Sequence, residues 1–158
     1  MGILALLIGL SACGFHLRGK LDLPAEMKKM HVKVGDVVLR GQLTAALRAA
    51  KVEVVERAED ASATLHIINY VERRQVRSVG GLGRVREFTL THAIEFEVKT
   101  RDGKLFMKPD KVVQARDYTF DETQVVGKTT EETIIRQEMR RDLTQEVLMR
   151  LRYGSKPR

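Results

Sequence analysis

One stretch, Phe88 to Lys99, constrains the fold most because apolar and polar residues alternate along it. One face carries Phe88, Leu90, His92, Ile94, Phe96 and Val98. The other face carries Thr89, Thr91, Ala93, Glu95, Glu97 and Lys99. Side chains of a β-strand point alternately to the two sides of a sheet, so the pattern predicts a strand with one buried face. Such half-buried strands are typical of antiparallel sheets.

Segments on both sides of this stretch predict two more long strands. An extended pattern runs from Leu65 to Val79, ahead of a glycine-rich turn at 80–83. Asp102-Gly103 predicts a tight hairpin turn of type I′. Leu105 to Phe120 then predicts the returning strand, in which Pro109 marks a bulge or an edge position.

Two stretches have the spacing of amphipathic helices. Asp36 is the predicted N-cap of the first helix, which ends near Lys51. Its apolar stripe is Leu39, Leu43, Ala46, Leu47 and Ala50. Thr129 and Glu132 match a capping box at the start of the second helix. The stripe of that helix is Ile135, Met139, Leu143, Val147 and Leu151.

The order of these elements predicts an α+β fold. Met30 to Val34 predicts a short first strand, while Val52 to Val55 is extended chain that we do not count as a strand. We therefore predict a two-layer sandwich, with a four-stranded, mostly antiparallel sheet and two helices packed on one face. In it, Phe96 and Leu143 should face each other's layer.

The amino terminus is typical of an export signal that ends at the only cysteine. An uncharged apolar run leads into Leu10-Ser11-Ala12-Cys13, which resembles the lipobox of bacterial lipoproteins. In that family the cysteine receives a diacylglyceryl group, cleavage occurs before it, and the new amino terminus is acylated. The resemblance implies a signal peptide over 1–12 and a single domain over 13–158, anchored through Cys13. A core or redox thiol at Cys13 is the alternative.

Composition and motifs argue against an enzyme. The formal net charge is +7, which suits phosphate-bearing partners. For an exported lipoprotein these are anionic lipid or lipopolysaccharide rather than nucleic acid. No nucleophile–base motif is visible, and the histidines at 16, 31, 66 and 92 lack metal-ligand spacing. We expect no catalysis, no metal and no cofactor beyond lipid on Cys13, and a hydrogen-bonded core histidine at His92.

Five arginines flank the glycine-rich turn: Arg73, Arg74, Arg77, Arg84 and Arg86. Strands are predicted on both sides of the turn, which favours a hairpin over a phosphate loop, since such loops need a helix N-terminus behind them. On a hairpin these like charges approach one another, so an anion would neutralise them. A solvated hairpin end is the equally open alternative. Arg136, Arg140 and Arg141 are predicted to form a solvated face of the last helix.

Three segments resemble the LptE family of lipopolysaccharide-assembly lipoproteins. Cys13 to Gly19, Cys-Gly-Phe-His-Leu-Arg-Gly, looks like the mature start of the family. Arg116 to Asp121 looks like its last strand running into a loop. Gly127-Lys128, followed by Glu131-Glu132, looks like the start of its last helix. The family's two-layer fold, a four-stranded sheet with two helices, agrees with the fold predicted above.

The resemblance also implies a function. LptE proteins plug the lumen of the LptD β-barrel, bind lipopolysaccharide and assist its assembly in the outer leaflet. Lys128 matches a basic position with which the family contacts lipopolysaccharide. A second family position, an arginine near the turn, meets glycine here, so Arg77 or Arg84 would substitute, and Arg86 completes the candidate set. The alternative function is a stand-alone periplasmic accessory lipoprotein that binds anionic lipid or peptidoglycan.

The residue after the cysteine bears on localisation. By the lipoprotein sorting rule, an aspartate there holds the protein in the inner membrane. Gly14 occupies that position. We therefore expect the protein in the outer membrane, on its periplasmic side or inside the barrel lumen.

Overall fold

The computed structural model describes residues 23–79, 85–119 and 125–154. Its elements are β1 (Lys29–Lys33), α1 (Val37–Ala49), β2 (Glu53–Val55), β3 (Ala63–Val79), β4 (Val85–Thr100), β5 (Leu105–Thr119) and α2 (Val125–Gly154). Short 3₁₀ turns at Ala25–Met27 and Ala58–Asp60 precede β1 and β3. The predicted signal peptide and Cys13 lie outside these ranges. Within them, no helix combines the length and the apolar character that a membrane crossing requires.

The strands form one sheet in the order β2-β1-β3-β4-β5. β1 pairs in parallel with β2 and β3, whereas β3, β4 and β5 are antiparallel. The predicted α+β class with two helices is confirmed, but the sheet has five strands instead of four. The additional strand is Glu53–Val55, which pairs with Lys29–His31. Its three residues are too few to carry an alternation pattern.

Local interactions hold α1 at both ends. The Asp36 carboxylate accepts a hydrogen bond of 2.6 Å from the Leu39 N–H, so the predicted N-cap is confirmed. At the other end Lys51 adopts a φ of +64°. The Val52 N–H donates to the Leu47 carbonyl, and the Lys51 N–H to the Arg48 carbonyl. This pair of bonds is a Schellman motif, and it ends the helix where the sequence predicts.

The main core lies between the helices and the part of the sheet in which β1 pairs with β3. α1 contributes Leu39, Leu43 and Leu47, and α2 contributes Leu143, Val147 and Leu151. They pack against apolar residues of the sheet that include Leu65, Phe96 and Val98. Phe96 and Leu143 are both fully buried in this core, as predicted.

A bulge at Ile68 changes which face of β3 is buried. Ile67 pairs with Phe96 but Asn69 pairs with Glu95, so Ile68 is an extra residue in β3. On the amino-terminal side of the bulge, the odd-numbered Leu65 and Ile67 are buried. Beyond it the parity reverses, because one extra residue turns the following side chains to the opposite face. Tyr70, Glu72 and Arg74 therefore point towards α2.

The β4–β5 hairpin differs from the sequence prediction in its turn. Gly103 has a φ of +79°, but Asp102 does not have the positive φ that a type I′ turn needs. The Gly103 N–H donates to the Thr100 carbonyl, and the Thr100 N–H donates to the Lys104 carbonyl. This is a three-residue loop with glycine in the left-handed position, so type I′ is wrong. Pro109 lies on an edge strand and beside a register shift, as predicted.

The start of α2 also differs from the prediction. The helix begins at Val125, four residues before Thr129, so Thr129 is inside the helix and is not its N-cap. The Glu132 carboxylate instead accepts hydrogen bonds from the Tyr118 hydroxyl and from Arg136. A side chain held in this way is not free to turn back and complete a capping box.

The buried stripe of α2 predicts a clear effect on stability. Leu143→Ala should lower the free energy of unfolding by about 2–5 kcal/mol, because it removes apolar contacts and leaves a cavity. Chemical denaturation of wild type and variant measures the difference. Ile134→Ala is the control, since Ile134 is exposed on the same helix and should change stability by much less. Equal losses in both variants would contradict the packing described above.

Candidate functional site

A network of charged and polar side chains joins the amino-terminal half of α2 to the sheet. We call it the polar seam, and its residues are Tyr70, Glu72, Arg74, His92, Tyr118, Glu132, Arg136 and Arg140. The strand residues come from β3, β4 and β5, and the other three come from successive turns of α2. Over this part of the sandwich, polar contacts therefore accompany a small apolar cluster.

Glu72 is one centre of the seam. Its carboxylate lies 2.5 Å from Nη2 of Arg140 and 3.7 Å from Nη1 of Arg136. The Tyr70 hydroxyl also donates a hydrogen bond to Glu72. Burial opposes ionisation of Glu72, but the hydrogen bonds from Tyr70 and Arg140 outweigh it, so its pKa is lower than usual. Glu72 is therefore ionised at neutral pH and forms charge-assisted bonds to α2.

Glu132 is the second centre. Arg136 donates to it from Nε at 2.9 Å and from Nη2 at 2.7 Å. Arg74 reaches it from β3, with Nε 3.2 Å from the carboxylate. Despite burial, the hydrogen bonds from Tyr118 and Arg136 lower the pKa of Glu132. Both carboxylates of the seam are thus held in the charged form.

Arg74 also contacts two aromatic side chains, one on β4 and one on β5. Its guanidinium carbon lies 3.4 Å from the centroid of the Phe88 ring, a cation–π contact, and Nε lies 3.1 Å from the Tyr118 hydroxyl oxygen. Phe88 and Tyr118 stack with ring centroids 5.5 Å apart. Together with Leu90 and Met139 these rings form a small second core under α2.

His92 is the fully buried member of the seam. Its Nδ1 lies 3.8 Å from the Glu72 carboxylate, and its ring meets Tyr70 edge-on at 6.4 Å. Within the described residues neither ring nitrogen has a hydrogen-bond partner, so the prediction of a hydrogen-bonded histidine is wrong, although burial is confirmed. Burial lowers the pKa of His92, the charges of Arg136 and Arg140 add to this effect, and Glu72 opposes it.

The predicted solvated arginine face of α2 is wrong for two of its three residues. Arg136 and Arg140 are 25% and 18% exposed and pair with Glu72 on the sheet. Arg141 is exposed, as predicted. The error arises because the bulge at Ile68 brings Glu72 under the helix, and helical spacing alone does not reveal what a neighbouring strand presents.

The structure describes the candidate ligand residues to different extents. Arg77 lies near the end of β3, is exposed and pairs with Asp117 of β5. Arg86 and Lys128 belong to β4 and to the first turns of α2 respectively, but only their backbone is described. Arg84, like Cys13, lies outside the described residues.

Arg77, Arg86 and Lys128, the candidate residues within the described ranges, lie at one end of the sheet, which we call the hairpin end. There Val76, Phe88 and Tyr118 are in register across β3, β4 and β5. α2 also begins there, since Glu132 contacts Tyr118. The side chain of Arg77 lies on the open face with Asp117, whereas α2 covers the opposite face.

Arg74 is the residue at the hairpin end that the sequence-based candidate set lacks. It belongs to the predicted arginine group, but its contact with Phe88 distinguishes it from the others. In the sequence, the available indication was Phe88, an aromatic residue on the strand predicted to pair with that of Arg74. For metals, the described ranges contain no group of three or more His, Cys, Asp or Glu side chains placed to hold an ion.

Comparison with known sequences identifies similar proteins. The profile of the LptE family, described as lipopolysaccharide-assembly, matches residues 27–151. A relative from Photorhabdus laumondii subsp. laumondii, named LPS-assembly lipoprotein LptE, is 30% identical, covering 94% of this chain and 85% of the relative. A relative of the same name from Pectobacterium atrosepticum is 28% identical, covering 89% and 77%.

Two solved lipoprotein structures have a similar fold. The minor lipoprotein from Acinetobacter baumannii has a TM-score of 0.67 at 25% identity, covering 80% of this chain and 91% of that structure. Lipoprotein B from Nitrosomonas europaea has a TM-score of 0.73 at 23% identity, covering 85% and 88%. At that identity, the second likeness concerns the fold alone.

The buried state of His92 predicts a pH dependence of stability. Its pKa in the folded protein is below the ordinary value of about 6.5, so the unfolded chain takes up a proton first as the pH falls. As the pH falls below about 6.5 the wild type should therefore lose stability, by less than about 1.4 kcal/mol per pH unit. Urea denaturation at several pH values should show a smaller loss for His92→Leu. Identical slopes for the two proteins would contradict this assignment.

Proposed function

The chain belongs to the LptE family of lipopolysaccharide-assembly proteins, and on that premise we propose that it is an outer-membrane lipoprotein that binds lipopolysaccharide. We further propose that it partners an LptD-like β-barrel, occupies the barrel lumen and assists assembly of lipopolysaccharide in the outer leaflet. The family match over 27–151, almost the whole described domain, carries the proposal. The protein acts by binding and carries out no covalent chemistry of its own.

The proposed anchor is Cys13. Acyl chains stabilise membrane attachment by about 0.8 kcal/mol per buried methylene, so several chains on one cysteine hold the domain permanently. Strand-like alternation begins directly after the cysteine, with Phe15 and Leu17 between polar residues. The folded domain would then lie close to the membrane surface.

The proposed lipopolysaccharide site is the hairpin end. Lipid A carries phosphates, to which lysine and arginine form charge-assisted hydrogen bonds. Lys128 lies in the first turns of α2, where unpaired backbone N–H groups and the helix dipole also favour anions. Arg77 is exposed at the same end, and Arg84 and Arg86 belong to the same hairpin sequence.

The charge balance of the polar seam supports the same end. Three guanidiniums, those of Arg74, Arg136 and Arg140, face two carboxylates, those of Glu72 and Glu132. One positive charge therefore remains, and Arg74 is 39% exposed at the hairpin end. An anion bound there would meet a positive field in a partly dehydrated setting.

Charge reversal tests the proposed ligand site. Lys128→Glu should weaken lipopolysaccharide binding about tenfold, because it replaces an attraction to phosphate by a repulsion. Adding Arg77→Glu and Arg84→Glu should weaken it further, and added salt should reduce wild-type binding as well. Binding is measured by fluorescence titration at low salt, with folding checked by circular dichroism.

Arg141→Glu is the matched control for this series. It makes the same charge reversal on an exposed position of the same helix, about 20 Å along the axis from Lys128. Binding should be nearly unchanged. A folded triple variant with wild-type affinity would rule out the hairpin end as the ligand site.

Two variants test the anchor and its destination. Cys13→Ser should accumulate as an uncleaved, unlipidated precursor, because the hydroxyl cannot take the thioether-linked lipid. Gly14→Asp should be lipidated but stay in the inner membrane under the lipoprotein sorting rule. Mass spectrometry and membrane fractionation measure both outcomes. Wild-type mature protein in the inner membrane would contradict the proposed localisation.

A further inference from the structure

The two halves of α2 are attached to the sheet by different chemistry. The carboxyl-terminal half inserts Leu143, Val147 and Leu151 into the main core, and all three are fully buried. The amino-terminal half rests on the polar seam, and Met139 is its fully buried apolar side chain within the described residues. The position of this half therefore depends strongly on ionic and hydrogen-bonding contacts.

The sheet itself explains why the apolar interface there is limited to a small cluster. The last pair between β1 and β3 joins Lys33 to His66. Beyond this pair the described sheet consists of β3, β4 and β5, and the main core that α1 helps to build ends. Fewer apolar residues are available to hold the helix, so each charged contact accounts for a larger share of its attachment.

Within the seam, Glu72 joins three elements. It is on β3, it contacts Arg136 and Arg140 of α2, and it lies beside His92 of β4. The two arginines are four residues apart, so one carboxylate engages two successive turns of the helix. Without Glu72, the largely buried guanidinium of Arg140 would lose its carboxylate partner.

We propose that Glu72 is a positioning residue, which holds the amino-terminal half of α2 against the sheet and thereby sets where Lys128 meets lipopolysaccharide. This inference rests on the proposed function. Glu72 itself does not touch the ligand in this account. It acts through Arg136 and Arg140.

Lys128 is far along the helix axis from the residues that anchor α2 in the main core. Lys128 lies 15 residues before Leu143, the first of the core-packed leucines, which corresponds to about 22 Å along the axis. A tilt of about 10° around that point would move Lys128 by about 4 Å, enough to lose a hydrogen bond to a phosphate. Small losses of attachment at the seam are thus amplified at the hairpin end.

Amide hydrogen exchange and binding together test the proposal on the full-length protein. Glu72→Gln should raise exchange across residues 131–141 about tenfold, leave 143–151 unchanged and weaken binding of purified lipopolysaccharide severalfold. Arg140→Met, which removes the helix-side partner, should act similarly, and the double variant should add little to either. Glu72→Asp, which keeps a carboxylate, should bind lipopolysaccharide more tightly than Glu72→Gln does.

Glu138→Gln is the matched control. Glu138 also joins α2 to the sheet, 2.9 Å from Arg116 of β5, but both side chains are well exposed. Surface ion pairs contribute little, so this variant should change neither exchange nor affinity. The persistence of slow exchange at 143–151 shows in each variant that the domain is folded.

The outcomes separate this proposal from the proposed function. Unchanged exchange across 131–141 in both Glu72→Gln and Arg140→Met would overturn the positioning role. Faster exchange with wild-type affinity, while Lys128→Glu binds weakly, would also overturn it but leave the ligand site intact. Wild-type affinity in Lys128→Glu would instead remove the ligand site, and with it the link between Glu72 and binding.

Discussion

The way the amino-terminal half of α2 lies on the sheet depends on the bulge at Ile68. One extra residue reverses the side-chain parity of β3, so that Glu72 faces α2 where an uninterrupted strand would turn it to the open face. The carboxylate then pairs with Arg140 and also lies near Arg136, whose closer partner is Glu132, so that both arginines lie against the sheet. Without the bulge, Arg140 would face the sheet without its carboxylate partner, and α2 could not cover this part of the sheet in the same way.

This arrangement divides the domain into a part held by packing and a part held by charge. The apolar core around Leu143 supplies stability that salt affects little, because it depends on buried area. The polar seam fixes the position of the amino-terminal half of α2 more than it stabilises the fold, since the cost of dehydrating charged groups offsets much of their attraction. A helix fixed at one end and positioned by charges at the other is consistent with the lipopolysaccharide binding that we propose for the second end.

The sequence predicts much of this fold, because alternation and helical spacing are local patterns. The strand at 88–99 and the buried stripe of the last helix follow from them. The three-residue strand β2, the bulge at Ile68 and the true start of α2 do not, since each depends on a partner distant in the chain. The same limit applies to the site: Lys128 follows from the family resemblance, but Glu72 is recognised only when β3 and α2 are seen together.

Isolation of the native protein from detergent-solubilised membranes tests whether it forms the proposed complex with a β-barrel. A carboxyl-terminal tag on the full-length chain, followed by native mass spectrometry, identifies what accompanies it. We predict a one-to-one complex with a large β-barrel protein that also retains lipopolysaccharide. Recovery of the lipoprotein alone, or with peptidoglycan fragments and no barrel, would contradict it and favour a stand-alone accessory role.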